Sequence, residues 1–263
     1  MATHQLVAFN TALDSDNKIH DDDVAQRFGF TGGLVPGVDV YAYLTWGPVQ
    51  QWGRDWLERG TMSARFALPT YDGELVTVHW DGASLSLTNP AGTAVAQGSA
   101  ALPAQGAAPV VSLADYPVAL VPAKEERPPA GPEVLATGTV LGTWQARFHA
   151  DRHQAYLADA RETLPIYTEL GIAHPGWVLR TANWILADNV VLGPWIHVGS
   201  TVTNLGLIHD GSLVQTRGTV ASSYEKKGHL FVDLDLVVTA DDVPVARIDH
   251  TAIYRPRQVA EAS

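Results

Sequence analysis

Cysteine is absent from this 263-residue chain. That excludes disulfides, thiolate nucleophiles and every zinc or iron-sulfur site built on cysteine, and it suits a reducing compartment. Basic residues are scarce as well: 17 Lys and Arg stand against 28 Asp and Glu, a formal charge of -11. A surface of that sign repels phosphate backbones and anionic lipid, and no basic cluster longer than Glu225-Lys226-Lys227 offsets it locally. No nucleic-acid or membrane partner is therefore expected. Long apolar runs are missing too. The N-terminal stretch MATHQLVAFNTALD has no basic start ahead of an apolar core, and the most apolar region, Trp177 to Val198, is interrupted by Arg180, Asp188 and Pro194. The expectation is a soluble, cytoplasmic protein. A phosphate-cradling glycine loop, a nucleophile elbow and a dinucleotide fingerprint are also lacking, because GFTGG has neither the lysine nor the strand-helix frame those motifs require. No cofactor is expected, and redox and kinase-like chemistry drop out.

What remains is a globular composition, 46% hydrophobic and 17% charged, with ample length for a core or for two modest domains. The chain repeats itself. LVPGVDVYAYLTW (34–46) is matched by AHPGWVLRTANW (173–184), each with a Pro-Gly opening an apolar stretch long enough for a buried helix. YDGELVTV (71–78) is matched by HDGSLVQT (209–216), an Asp-Gly turn entering a strand. LSLTNPAGTAVAQGSAAL (85–102) is matched by VVTADDVPVARIDHTAIY (237–254), a hairpin with a long second strand. Between the copies lies a Pro- and Ala-rich segment without sustained periodicity, suited to a linker. The predicted organisation is an α+β chain with a first unit over 1–105, a linker over 106–133, a second unit over 134–258 and a tail over 259–263.

The stretch DSDNKIHDDDVAQRFGFTGGLVPGV (14–38) carries the densest chemistry. Ser15, Asn17 and His20 precede a short helix with acidic residues in its first turn, which ends at Gly29. Asp21, Asp22 and Asp23 are consecutive, so their side chains point in different directions around a helix and read as a solvated cap rather than a metal cluster. His149 and His153 stand four apart, a ligand-compatible spacing, but no third ligand accompanies them, so no metal is expected. Arg180 and Asn183 are polar groups on a central helix that must find partners or line a cavity. Trp177, Trp184 and Trp195 near that helix predict a bulky apolar core or a wide aromatic pocket, the core being the expected one.

In order and spacing, Ser15-Asp16-Asn17-Lys18-Ile19-His20, the acidic helix and Pro36-Gly37 resemble the MaoC-like, R-specific enoyl-CoA hydratase branch of the hotdog fold, whose loop reads Asp-x-Asn-Pro-x-His. The second half looks like a more distant copy, with Glu162 to Tyr167 at the loop and His174-Pro175-Gly176 opening the helix. The resemblance covers nearly the whole chain and implies a double hotdog, two curled antiparallel sheets each wrapped on a central helix. It also implies an acyl thioester of coenzyme A or a carrier protein as substrate, and a hydro-lyase reaction in which a loop carboxylate and imidazole handle the protons of a water while a helix-start N–H receives the thioester oxygen. By position, His20 matches the imidazole, Asn17 the supporting amide and Gly37 the oxyanion donor. Ser15 stands where the family has its Asp, and a hydroxyl is no proton acceptor near neutrality. In the second loop Glu162 keeps a carboxylate but Tyr167 replaces the histidine.

The catalytic candidates are thus His20, Asp39, Ser15 and Asn17, and the substrate-binding candidates are Gly37, Val38, Glu162, Tyr167, His174 and Gly176. Asp39, in the first turn of the helix, reads two ways: a working carboxylate, as in hotdog thioesterases, or an acidic residue favoured by the helix dipole. With one loop carboxylate gone, an isomerase or cyclase using a single acid/base, an acyl thioesterase using Asp39 and a non-catalytic acyl-binding protein stand beside the hydratase reading. A double hotdog forms its own pseudo-dimer, and a further homodimer is compatible with it.

Overall fold

The computed structural model describes residues 1–12, 15–106 and 110–257. The first half runs β1 (Ala2–Val7), a 3-10 turn (Lys18–His20), α1 (Asp22–Arg27), α2 (Gly37–Arg59), β2 (Thr61–Phe66), β3 (Leu75–Trp80), β4 (Ser84–Thr88) and β5 (Ala94–Ala101). The second runs β6 (Val140–Arg147), α3 (Ala150–Asp159), α4 (Ile166–Leu170), α5 (Pro175–Asn189), β7 (Ile196–Asn204), β8 (Leu213–Lys226), β9 (His229–Ala240) and β10 (Val243–Arg255).

The strands form one antiparallel sheet in the order β1-β3-β4-β5-β2-β7-β10-β9-β8-β6. Read from either end, the order is the same pattern of first, third, fourth, fifth and second strand of a half. The expected double hotdog is the observed fold. Its two curled sheets are joined edge to edge through β2 and β7, where Ala64 faces Ser200 and Met62 faces Val202. The joint pairs the backbone groups of what would otherwise be two open edges.

Local chemistry explains why each half starts the same way. Pro175 occupies the first turn of α5, where its fixed φ suits the helix and its missing N–H costs nothing, and Pro36 precedes α2. The Asp-Gly turns ahead of β3 and β8 put Gly73 at φ 76° and Gly211 at φ 83°, left-handed backbone that glycine adopts without strain. Helix α2 kinks at Gly53, φ 54°. The faces of α2 and α5 turned toward the sheet bury Tyr41, Leu44, Trp56, Leu179, Ile185 and Leu186 almost completely, each of the larger ones contributing about 1.5–3 kcal/mol. The two helices come close near their starts. A Cβ built on Gly176 would lie 2.5 Å from the Cβ of Ala42, so only glycine lets the backbones meet there.

The segment joining the halves packs along the second one. Thr143 donates to the Ala119 carbonyl at 2.9 Å, Val191 to Pro128 at 2.8 Å, and Arg127 pairs with Asp188 at 2.9 Å. The tail over 259–263 lies outside the described residues. His149 turns out to be the N-cap of α3 rather than part of it, so His149 and His153 do not share a helical face. Among the described residues no helix is long and apolar enough to cross a membrane.

Candidate active site

Residues 15–36 fold back on the start of α2 and on the strand beyond α5. Asn17 does most of the anchoring. Its side-chain oxygen accepts from the Trp195 N–H at 3.2 Å and its amide nitrogen donates to the Trp195 carbonyl at 3.0 Å, a reciprocal pair that ties the first-half loop to the entry of β7. The same side-chain oxygen caps the 3-10 turn by accepting from Ile19 N. Ser15 Oγ accepts from the Asn17 N–H at 3.1 Å, so the hydroxyl shapes the loop.

These contacts fix the tautomer of His20. A carbonyl only accepts, so the 2.6 Å contact from His20 Nδ1 to the Leu34 carbonyl places the proton on Nδ1. The amide of Asn17 then donates to the bare Nε2 at a long 3.3 Å. Burial holds the imidazole below its ordinary pKa of 6.5, opposed by the Leu34 carbonyl and by the charges of Asp39 and Asp21. His20 is therefore a neutral base at neutral pH with its lone pair only weakly engaged.

Two cavities meet at this side chain. A wide one of about 710 Å³ is lined by Ser15, Asn17, His20, Arg180, Trp144 and Trp184, with Val38 at its wall and Lys124 and Arg127 of the connecting segment at its rim. A narrower one of about 220 Å³ is lined by His20, Gly37, Phe66, Trp195 and His197. Asn17, His20, Pro36, Asn183 and Trp195 belong to both. Asn183, flagged in the sequence as a polar group in need of a partner, carries a buried side-chain oxygen with none. Trp184 stacks on Trp144 at 4.9 Å and meets Trp177 at 5.9 Å. Trp195 stands apart from them at the junction of the cavities.

Asp39 and Arg180 resolve each other. Arg180 Nη2 donates to Asp39 Oδ1 at 2.6 Å, Thr11 Oγ1 donates to Oδ2 at 2.6 Å, and Arg180 Nη2 also meets the Thr11 hydroxyl. Asp39 is fully buried and both of its oxygens are engaged. The guanidinium lies 4.5 Å over the Tyr156 ring. Asp22, in the acidic run, accepts from the Gly33 N–H at 2.7 Å, and Asp21 pairs with Lys18 at 3.4 Å.

The corresponding place in the second half is filled. His174 Nδ1 accepts from the Gly176 N–H at 2.9 Å, capping α5, so its proton sits on Nε2 and is donated to Glu162 Oε2 at 3.0 Å. Glu162 Oε1 accepts from the N–H groups of Thr163 and Leu164 at 2.7 Å each. Burial pushes the Glu162 carboxyl up, and the hydrogen bonds from His174 and from those two N–H groups more than offset it, leaving it below its usual value. The Tyr167 ring packs 4.5 Å from His174, and burial drives its hydroxyl well above 10. Glu162, Tyr167, His174 and Gly176 line neither of the two cavities.

Sequence reading passed over His197. It lines the narrow cavity, and a Cβ built on Gly37 would lie 2.9 Å from its Nδ1. Residue spacing alone carries no signal for this histidine, because a bulge in β7 decides which way it points.

No protein-family model matches the sequence, and no curated protein is significantly similar to it. Solved structures are similar in fold. A protein named a MaoC-domain dehydratase, from Chloroflexus aurantiacus, superposes over 97% of this chain and 95% of its own, with a TM-score of 0.57 and 11% identity. A Mycobacterium tuberculosis protein described as a double hotdog covers 96% and 95%, with a TM-score of 0.58 and 13% identity. One named a thioesterase, from Novosphingobium aromaticivorans, covers 97% and 96%, with a TM-score of 0.50 and 11% identity. These likenesses establish the double hotdog fold shared with MaoC-like dehydratases and leave the reaction to the site.

Proposed function

We propose that the chain is a hydro-lyase acting on an acyl thioester, adding or eliminating water β to the carbonyl, with His20 as its acid/base. The observation that carries this reading is the state of His20: Nδ1 is committed to the Leu34 carbonyl, and Nε2 is bare at the junction of two cavities. A neutral imidazole below its ordinary pKa is a competent base at pH 7. In the elimination direction, His20 Nε2 takes the α-proton of a β-hydroxyacyl thioester, and the C–H electron pair moves into the carbonyl to give an enolate. The Gly37 N–H, in the first turn of a long helix, faces the oxygen that gains charge. Collapse of the enolate expels the β-hydroxyl, which takes the proton from the imidazolium and leaves as water. One imidazole serves both transfers, which is how the site works with Ser15 in place of a carboxylate. The wide cavity accommodates the carrier arm of the thioester, with Lys124 and Arg127 at its rim, and the narrow one accommodates the acyl end.

The thioesterase reading based on Asp39 is weaker, because both oxygens of that carboxylate are held by Arg180 and Thr11. The test is incubation with short, medium and aromatic enoyl-CoA thioesters, following product mass. A product heavier by one water, formed by the wild type and not by His20→Ala, supports the hydro-lyase. Release of free thiol instead, or turnover that survives His20→Ala, overturns it.

A further inference from the structure

Strand β7 contains one residue too many. Along its pairing with β10, His250 faces Ser200 and Thr251 faces Gly199, but Ala252 faces His197, so Val198 is the extra residue of a bulge. In a regular strand His197 and Ser200, three apart, would point to opposite faces. The bulge turns both inward, as bulges do where a side chain must be re-aimed. The result is a chain of three side chains: His197 Nε2 lies 2.8 Å from Ser200 Oγ, and Ser200 Oγ lies 3.0 Å from His250 Nδ1. All three are at least nine-tenths buried. The outer nitrogens, His197 Nδ1 and His250 Nε2, are buried with no partner.

The serine has one hydrogen to give, so the chain has two neutral arrangements. In one, Ser200 donates to His250 and His197 Nδ1 is bare. In the other, His250 Nδ1–H donates to Ser200, Ser200 donates to His197 Nε2, and His197 Nδ1 carries the proton. An unsatisfied N–H is the costlier orphan, and of the two outer nitrogens only that of His197 borders a cavity where a ligand oxygen can satisfy it. His250 lines neither cavity. The second arrangement therefore fits the surroundings. It also aims the Nδ1–H at the start of α2, beside Gly37.

From this we infer that His197 is a second hydrogen-bond donor to the substrate carbonyl oxygen at Gly37, with its tautomer set by His250 through Ser200. The inference rests on the proposed thioester reading and deepens it: the oxygen-binding corner is shared between the two halves, one donor from each. Burial and the neighbouring His250 outweigh a backbone hydrogen bond to Gly199 and hold the His197 ring neutral, so it donates without carrying charge. A neutral imidazole at a helix start is a fitting partner for a developing oxyanion.

Two measurements test it. In ¹⁵N-labelled wild-type protein, long-range ¹H–¹⁵N spectra assigned by comparison with His197→Asn should show the His197 proton on Nδ1; a proton on Nε2 overturns the inference whatever the activity. Kinetics on β-hydroxyacyl-pantetheine thioesters should show His197→Leu losing about 100-fold in kcat, the usual cost of one oxyanion donor, with KM unchanged. His197→Asn, whose amide N–H occupies the place of Nδ1, should recover most of it. Equal loss in both variants at unchanged melting temperature overturns the donor role. A wild type that shows the Nδ1–H tautomer but turns over no thioester sinks the proposed reaction and leaves the donor standing.

Discussion

Asp39, in the first turn of α2, and Arg180, in the middle of α5, meet at 2.6 Å across the interface of the two halves, 141 residues apart in sequence. The carboxylate is fully buried and the Arg180 side chain is 19% exposed. Removing one partner of such a pair leaves an uncompensated charge in the interior, at a cost of about 3–5 kcal/mol. Arg180→Met should therefore destabilise the chain by that order in urea titration. The double variant Arg180→Met with Asp39→Asn should recover a large part. An additive double variant would show that the pair is not coupled.

His20 sets an acid limb. Its pKa lies below 6.5 because burial penalises the imidazolium, so the basic form is present above that value and is lost as pH falls through it. The kcat/KM profile should fall on the acid side with a midpoint below pH 6.5. Asp21 raises the His20 pKa, and Asp21→Asn should move the midpoint further down. A shift upward would contradict the electrostatic reading.

Buried neutral histidines make the fold acid-sensitive. Burial, aided by the neighbouring His174 and Arg180, holds His153 at about 3, and burial alone holds His250 at about 3, whereas both titrate near 6.5 when unfolded. Below pH 6.5 the unfolded chain binds protons that the folded one refuses. Each such group should remove about 1.4 kcal/mol of stability per pH unit, from 6.5 down toward 3. Urea midpoints at pH 7.5 and pH 5.5 should differ accordingly. Equal midpoints would mean that these rings are protonated in the folded state.

Glu162 reads as structure in the present geometry. Glu162→Gln removes the charge from a carboxylate that accepts from His174, Thr163 and Leu164, and should cost about 1.5–3 kcal/mol, as for hydrogen bonds to charged groups. The KM for thioesters should stay unchanged in that variant. A raised KM at unchanged melting temperature would return Glu162 to the substrate-binding set.

The repeat was legible because its signals are local. Pro-Gly at the start of α2 and α5 and Asp-Gly before β3 and β8 act within a few residues, so the order of helix, strand and hairpin could be read twice along the chain. The loop with Asn17 and His20 was legible by the same kind of spacing. Partners were not. Nothing near Asp39 in sequence announces Arg180, and nothing near Asn17 announces Trp195, because both contacts bridge the two halves. His197, Ser200 and His250 were opaque for a different reason: a single extra residue in β7 reverses the facing of His197 relative to Ser200, and alternation counted along the sequence assigns them to opposite sides. The filled second pocket was likewise hidden, since Glu162 and Tyr167 are spaced as a loop motif whether they border a cavity or are sealed by His174.

The β2 to β7 joint has an inheritance consequence. In a symmetric pair of identical chains every substitution is written twice, and a change that improves one pocket must be tolerated by the other. Here the two copies lie on one polypeptide and share one sheet, so each half accumulates its own changes. In the second copy Glu162 and His174 hold each other and border neither of the two cavities. The first copy borders the opening, and strand β7 of the second furnishes part of its lining.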